Sequence, residues 1–421
     1  MVRCIKQYIT VLLIGISSGF ELYDYILCSM FANFIGQNFF PPSDKTFTLF
    51  TIFCISTIGN VIRILGATII GFLGDTLSKK NVFTNTLLYM AIATFLIGIL
   101  PKFQYIGILS TVFFGILRVI QGITFGAEIP GAMTLLTEHI YIHKHRGFYF
   151  GLMSSITGFG IILCAFITWI ITLLLSEQQI NNWGFRIPFL IGSIGILFGV
   201  IIRRYLFENH NFLKKRNGEN IISKKFEKRK YDIVQIFTAI GILIFPACFI
   251  SMQMVFPVYL HEFYHLPLDN IYFAVLIGHV LSTFIIPLFG LLSDFMGSNK
   301  YLLILAEILA TILLYPILHL SIINNWNTAI IFYVFSQFIT SIFTASYYAL
   351  LPQAFESSIR FTCTTFAYNI AFFIASFVPI CMNYIFNVEK NPNFIILLLA
   401  CLSMISVFST IFLKVHDVHI D

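Results

Sequence analysis

Gly71-Phe72-Leu73-Gly74-Asp75-Thr76-Leu77-Ser78-Lys79-Lys80 closes one long apolar run, and 219 residues further on Gly290-Leu291-Leu292-Ser293-Asp294-Phe295-Met296-Gly297-Ser298-Asn299-Lys300 closes another. Each has a glycine, then an aspartate four residues later, then a basic residue where the apolar run gives way. A second echo lies beside the first: Arg146 and Arg360, 214 residues apart, each open an apolar run. Two independent features at nearly one offset imply duplication of a unit about half the length of the chain.

The units repeated are helices made for lipid. The chain of 421 residues is 58% hydrophobic, 17% aromatic and 10% charged, against about 25% charged in a soluble domain. Apolar windows of about 20 residues, each able to cross roughly 30 Å of hydrocarbon, recur along its length. No alternating barrel pattern is visible, so backbone groups must be satisfied within helices. The windows predict spans near 9–35, 47–74, 83–100, 106–136, 148–176, 187–205, 232–258, 270–293, 301–321, 327–350, 361–387 and 393–414. The reading is an all-α polytopic membrane protein of twelve spans, with six in residues 1–205, a cytoplasmic linker at 206–231 and six in 232–421. Duplicated bundles of this kind belong to transporters that rock one half against the other around a midplane site. Glu21 and Asp24 interrupt the first run, which exceeds signal length and has no cleavage site after it, so it is expected to stay in the mature protein.

Nineteen of the twenty-five lysines and arginines fall on one side of the predicted spans and four on the other, with Arg63 and Arg118 inside. Both termini are therefore expected in the cytoplasm. The net charge of +6 is a topology signal, and nothing here resembles the basic face of a nucleic-acid-binding domain. The Lys-rich linker suits the anionic inner leaflet of a bacterial inner membrane. The eight cysteines show no CxxC and no histidine at metal-ligand spacing, so they read as apolar fillers, with no disulfide, metal or cofactor role expected. No nucleotide loop or nucleophile motif appears, which makes an enzyme the least favoured class.

With these residues in place the chain resembles the major facilitator superfamily, and within it the metabolite:proton symporters that include the proline/betaine, α-ketoglutarate, citrate and shikimate permeases. Gly19-Phe20-Glu21-Leu22-Tyr23-Asp24-Tyr25 is similar to that family's acidic-aromatic first span, and Arg63-Ile64-Leu65-Gly66 with Gly71–Asp75 to its second. Arg118-Val119-Ile120-Gln121-Gly122 through Glu128 resembles the fourth-span signature, and Asn182-Trp183-Gly184-Phe185-Arg186-Ile187-Pro188-Phe189 is the piece most specific to the subfamily. Pro352, Phe355, Arg360, Tyr368 and Asn369 carry the likeness into the eleventh span. The resemblance implies a twelve-helix major facilitator fold and proton-coupled symport. It also implies that Asp75 gates the cytoplasmic side against the start of the eleventh helix, near Ser357, Ser358 and Arg360.

The departures are local. Thr76 and Ser78 stand where the family motif has a basic residue and a glycine, and the second copy has Phe295, Ser298 and Asn299 where basic residues are expected. Asp294 is therefore expected to be the weaker gate. The chain ends at Asp421, without the long charged coiled-coil tail of some proline/betaine members, so osmotic regulation through such a tail is not expected.

Charges inside the spans carry the functional reading, because a bare ion near the bilayer midplane costs several kcal/mol unless paired or watered. Glu21 and Asp24 share a helix face, and two neighbouring carboxylates resist joint ionisation, so one can hold a transferable proton. Arg118 and Glu128, ten residues apart, lie on roughly one side of the fourth helix. The candidates are Glu21, Asp24 and Glu128 for proton coupling, and Arg118, Tyr23 and Arg63 for substrate. Asp75, Lys79, Lys80, Asp294, Arg146 and Arg360 are the candidates for gating. Helix-packing ion pairs are the alternative for the charges inside the spans, a solvated loop with positive-inside lysines is the alternative for Asp75 and its lysines, and His279, Glu307 and His319 read as structural. Phe20, Tyr23 and Tyr25 beside the acidic pair suit a quaternary ammonium or prolinium group. The expected activity is monomeric, proton-coupled or sodium-coupled symport of a small osmolyte such as proline or glycine betaine. A dicarboxylate or tricarboxylate symporter, an uncoupled facilitator and a transport-inactive receptor remain as alternatives.

Overall fold

The computed structural model describes residues 2–41, 45–76, 79–139, 145–209, 232–264, 268–320, 326–378, 381–382 and 393–415. Residues 210–231 of the linker and Ser78 lie outside them, as do the side chains of Lys79 and Lys80. Among the described residues every regular element is helical. Twelve long helices follow in chain order. They are α1 Val2–Met30, α2 Lys45–Thr76, α3 Lys79–Ile99, α4 Ile108–His139, α5 Arg146–Leu174, α6 Arg186–Asn209, α7 Ile233–Tyr264, α8 Leu268–Phe295, α9 Asn299–Leu320, α10 Trp326–Leu350, α11 Arg360–Ala375 and α12 Asn393–Phe412. Each predicted span overlaps one of them, the first running on into the helix Ala32–Phe39 and the eleventh, 361–387, extending to residues outside those described. Short helices at Ala32–Phe39, Phe103–Ile106, Ile180–Gly184 and Leu351–Ala354 lie between some of the long ones. Eight stretches among the described residues are long and apolar enough to cross a membrane.

The helices are two-faced, with lipid on one side. On α6, Ile194, Phe198 and Ile201 are exposed while Ile196, Val200 and Arg203 are buried. Exposed aliphatic and aromatic side chains at helical spacing need a hydrocarbon surround.

Contacts divide the chain into two compact units. One comprises Leu12–Ala132 and Ile156–Lys230, which takes in α2, α3, α6 and most of α1, α4 and α5. Glycines set its helix crossings, because small residues let backbones approach closely without a hydrophobic drive. Gly192, Gly195 and Gly199 line one face of α6 against Tyr23, Phe20 and Ser17 of α1, and a Cβ at Gly192 would come 2.8 Å from the Tyr23 ring. At Gly66 a Cβ would come 2.5 Å from the Ile123 backbone on α4, and at Gly160 of α5 it would overlap the Gly19 carbonyl.

The other unit comprises Met1–Val11, Met133–Ser155 and Tyr231–Asp421. It holds α7 to α12, the first turns of α1, the last of α4 and the first of α5. Here α8 crosses α5 at Gly290 and Gly147, where a Cβ on either would overlap the other's carbonyl. The glycine of the second repeated stretch therefore has a packing cause. Gly297, at φ 70°, ends α8 in a conformation other side chains rarely adopt.

Candidate functional site

Glu21 and Asp24 sit one turn apart on α1, both fully buried in the first unit. The Gln121 side chain on α4 organises Asp24: its Nε2 donates to Asp24 Oδ2 at 2.8 Å and to Thr94 Oγ1 at 2.9 Å. Its Oε1 accepts from Arg118 Nη1 at 2.8 Å. One amide, with both donors and its acceptor in use, thus links the acid on α1 to the half-buried arginine on α4. Gln121 was visible only as part of the fourth-span signature; its bridging role depends on a contact 97 residues away in sequence. Glu21 differs, since neither of its carboxyl oxygens has a hydrogen-bond partner.

Glu128 turns toward α6. Its Oε1 accepts from Ser18 Oγ at 3.0 Å, its Oε2 accepts from Arg203 Nη1 at 3.1 Å, and Arg203 Nη2 pairs with Oε1. Arg203 also donates from Nε to Ser17 Oγ at 3.1 Å and from Nη1 to the Phe83 carbonyl at 2.7 Å, and its guanidinium lies 3.7 Å from the Phe83 ring centroid. This arginine is 2% exposed. Counted along the sequence it belongs, with Arg204, to the nineteen basic residues on the cytoplasmic side of the predicted spans. Position 203 instead falls two turns after Ile196 on the buried face of α6, whereas Arg204 is exposed. The rule that sorts basic residues to one side counts sequence neighbours and does not see the 3.6-residue period that separates them.

The substrate candidates part company. Tyr23 is 1% exposed, with its hydroxyl donating to the Pro188 carbonyl at 3.0 Å. It packs in a core with Phe185 and Phe189, so the Asn182–Phe189 stretch serves as its anchor. Within that stretch Arg186 donates to the Leu100 carbonyl at 2.9 Å. Arg63 lies instead with Tyr25 and Phe125. Those rings stack at 4.5 Å, and the guanidinium is 4.7 Å from the Phe125 centroid and 5.8 Å from that of Tyr25. An aromatic pair beside the acids is therefore occupied by the protein's own cation. Arg118 is the one of the three that joins the acidic pair, through Gln121.

Of the gating candidates, Asp75 is half-buried in the last turn of α2. In the second unit Asp294 accepts from the backbone N–H groups of Gly147 and Phe148 in the first turn of α5, at 2.7 and 2.9 Å. Arg146, which opens that turn, is buried near the Phe150 ring. Arg360 is buried too, and its Nε donates to the carbonyls of Pro352 and Phe355 at 3.0 and 3.1 Å, fixing the start of α11 to the turn before it.

Comparisons with known proteins agree with this architecture. The Major Facilitator Superfamily model matches residues 22–379. A Staphylococcus aureus (strain MSSA476) protein provisionally named a proline/betaine transporter is 30% identical over 390 residues, covering 88% of this chain and 80% of its own. The proline/betaine transporter of Escherichia coli (strain K12) is 26% identical over 414 residues, covering 93% and 81%. Among solved structures, the proton:xylose symporter XylE bound to 6-bromo-6-deoxy-D-glucose superposes with a TM-score of 0.75 at 13% identity, over 97% of this chain and 95% of that one. At that identity the likeness is one of fold.

Proposed function

The chain belongs to the major facilitator superfamily, and from that premise we propose that it accumulates a small osmolyte such as proline or glycine betaine by proton-coupled symport and alternating access. It is a multi-pass transporter of the inner membrane and not an enzyme. In this reading residues 1–205 and 232–421 form the two rocking halves, the linker 206–231 joins them, and both termini face the cytoplasm.

The observation that carries the coupling is Glu21. An ionised carboxylate buried without a hydrogen bond costs several kcal/mol. Arg203, the guanidinium that attracts Glu21, already makes its ion pair with Glu128. Glu21 in its neutral form is the arrangement with the least uncompensated charge, and Asp24, held through one oxygen by Gln121, is the second member of the pair. A proton carried on Glu21 or Asp24 is then the coupling ion. Half-buried Arg118 is the group within reach of a substrate carboxylate, to which a guanidinium makes charge-assisted bonds. Proline and glycine betaine both carry that carboxylate, and the names of the two relatives favour them over the dicarboxylates.

The test is uptake of labelled proline, glycine betaine, α-ketoglutarate and citrate into reconstituted vesicles, with and without an imposed pH gradient. Accumulation of proline or betaine only under an inward proton gradient supports the reading. Uptake that never exceeds equilibrium, or accumulation of α-ketoglutarate or citrate alone, replaces it.

A further inference from the structure

Outside the α1–α4–α6 cluster, one buried acid has no part in the coupling scheme above: Glu307, fully enclosed in the second unit where α12 packs against α7 and α9. Its Oε1 lies 2.5 Å from Ser406 Oγ on α12, and its Oε2 has no hydrogen-bond partner. Ser406 Oγ is in turn 3.2 Å from the carbonyl oxygen of Ile242 on α7. Inside a helix that carbonyl would be taken by the N–H of the residue four positions on. Here that residue is Pro246, which has none.

We propose that Glu307 is a second proton-binding site of this protein, loaded in this structure. The assignment follows from counting protons. The Ser406 hydroxyl has one, and the Ile242 carbonyl, stripped of its helical donor, is the acceptor that depends on it. With that proton given to Ile242, Ser406 Oγ can only accept from Glu307, and a carboxyl that donates is a protonated one. The reverse assignment takes the Ser406 proton from the Ile242 carbonyl and buries an ionised carboxylate with a single hydrogen bond, whereas the first leaves only the uncharged Oε2 without a partner.

Among the described residues no lysine or arginine is paired with Glu307. Lys300 is the one lysine or arginine on α7, α9, α10 and α12. It lies two turns before Glu307, and its Nζ donates to the Leu413 carbonyl at 2.5 Å. The remaining histidines and acids of those helices are His261 and Glu262 at the end of α7 and His319 at the end of α9. Ser403, Ser406 and Thr410 share one face of α12, and Ser403 Oγ accepts from Thr311 Oγ1 at 2.8 Å one turn beyond Glu307. Toward the end of α12 the next hydroxyl, that of Thr410, donates to the Ser406 backbone carbonyl at 2.9 Å.

Infrared spectroscopy of the full chain in detergent tests the site directly and needs no substrate. At neutral pH the carbonyl stretch of a protonated carboxyl should be present, should lose a component in Glu307→Gln, and should shift in Ser406→Ala. The glutamine supplies both a donor and an acceptor, so this variant keeps the bond to Ser406; Glu21→Gln identifies any share of the band that comes from α1. With rising pH the Glu307 component should fade while the helical circular dichroism persists. A band untouched by both Glu307→Gln and Ser406→Ala overturns the site. A Glu307 component that survives until the helices melt overturns its exchange with the medium.

Discussion

Asp294 holds Gly147. The carboxylate at the end of α8 accepts the Gly147 N–H at 2.7 Å through Oδ1 and the Phe148 N–H at 2.9 Å through Oδ2, both in the first turn of α5. A helix start presents unpaired N–H groups and a partial positive charge, so the contact needs none of the basic companions that the second repeated stretch lacks. Gly147 and Gly290 permit it by bringing the two backbones together. A carboxylate in that position contributes about 0.3–1 kcal/mol, and up to about 2 when partly buried. Asp294→Asn, which loses the charge, should therefore shift the balance between gate states by up to about thirtyfold, a factor of ten being about 1.4 kcal/mol. Cysteine accessibility at cavity positions reads that balance. A smaller shift for Asp294→Asn than for Asp75→Asn would restore the ranking suggested by the missing basic residues.

In the proposed mechanism the acidic pair of α1 carries the coupling proton. Asp24→Asn should abolish uphill uptake while leaving counterflow exchange of substrate, because the neutral amide still meets Gln121 but carries no transferable proton. One proton moved across about 150 mV supplies roughly 3.5 kcal/mol, enough for accumulation on the order of 300-fold. pH-driven accumulation that survives unchanged in both Asp24→Asn and Glu21→Gln would remove the pair from the mechanism.

Much of the fold was legible in the residues, and the reasons are local. The twelve spans follow from run length, and the paired Gly71–Asp75 and Gly290–Asp294 stretches follow from self-similarity; both need only the chain in order. What escaped depends on which helix lies beside which. Arg118 and Glu128 do lie on one helix at the predicted spacing, yet each answers to a different neighbour, Arg118 to Gln121 and Glu128 to Arg203. Arg203 was hidden by its adjacent twin Arg204, although Ile196 and Val200 mark the buried face that only Arg203 continues. Glu307 reads as structural along the sequence, and the role proposed for it rests on Pro246, which lies on another helix.

Tyr23 separates packing from recognition. Its hydroxyl meets the Pro188 carbonyl, and the ring fills the space that Gly192 leaves. Tyr23→Phe should cost about 0.5–1.5 kcal/mol of stability, the net worth of one hydrogen bond, and leave KM for the transported osmolyte unchanged. A raised KM with an unaltered melting temperature would return Tyr23 to the substrate site.

The ion pair of Glu128 and Arg203 yields the sharpest contrast between single and double substitutions. Both residues are buried, and their bonds are complementary: Arg203 reaches Glu128, Ser17 and Phe83, while Glu128 accepts from Arg203 and Ser18. Removing one partner leaves a buried charge without its counterion, which typically costs 3–5 kcal/mol, whereas replacing both removes the charges together and can be nearly neutral. Arg203→Gln and Glu128→Gln should each lower the melting temperature of the detergent-solubilised protein markedly, and the double variant should recover much of the loss. The two single variants should also differ in transport. Arg203→Gln takes away the positive charge that acts on Glu21 as well as on Glu128, so its pH profile of counterflow should move, while that of the double variant should stay with Arg203→Gln despite the regained stability. If stability and pH profile recover together, Arg203 serves packing alone and has no influence on the proton at Glu21.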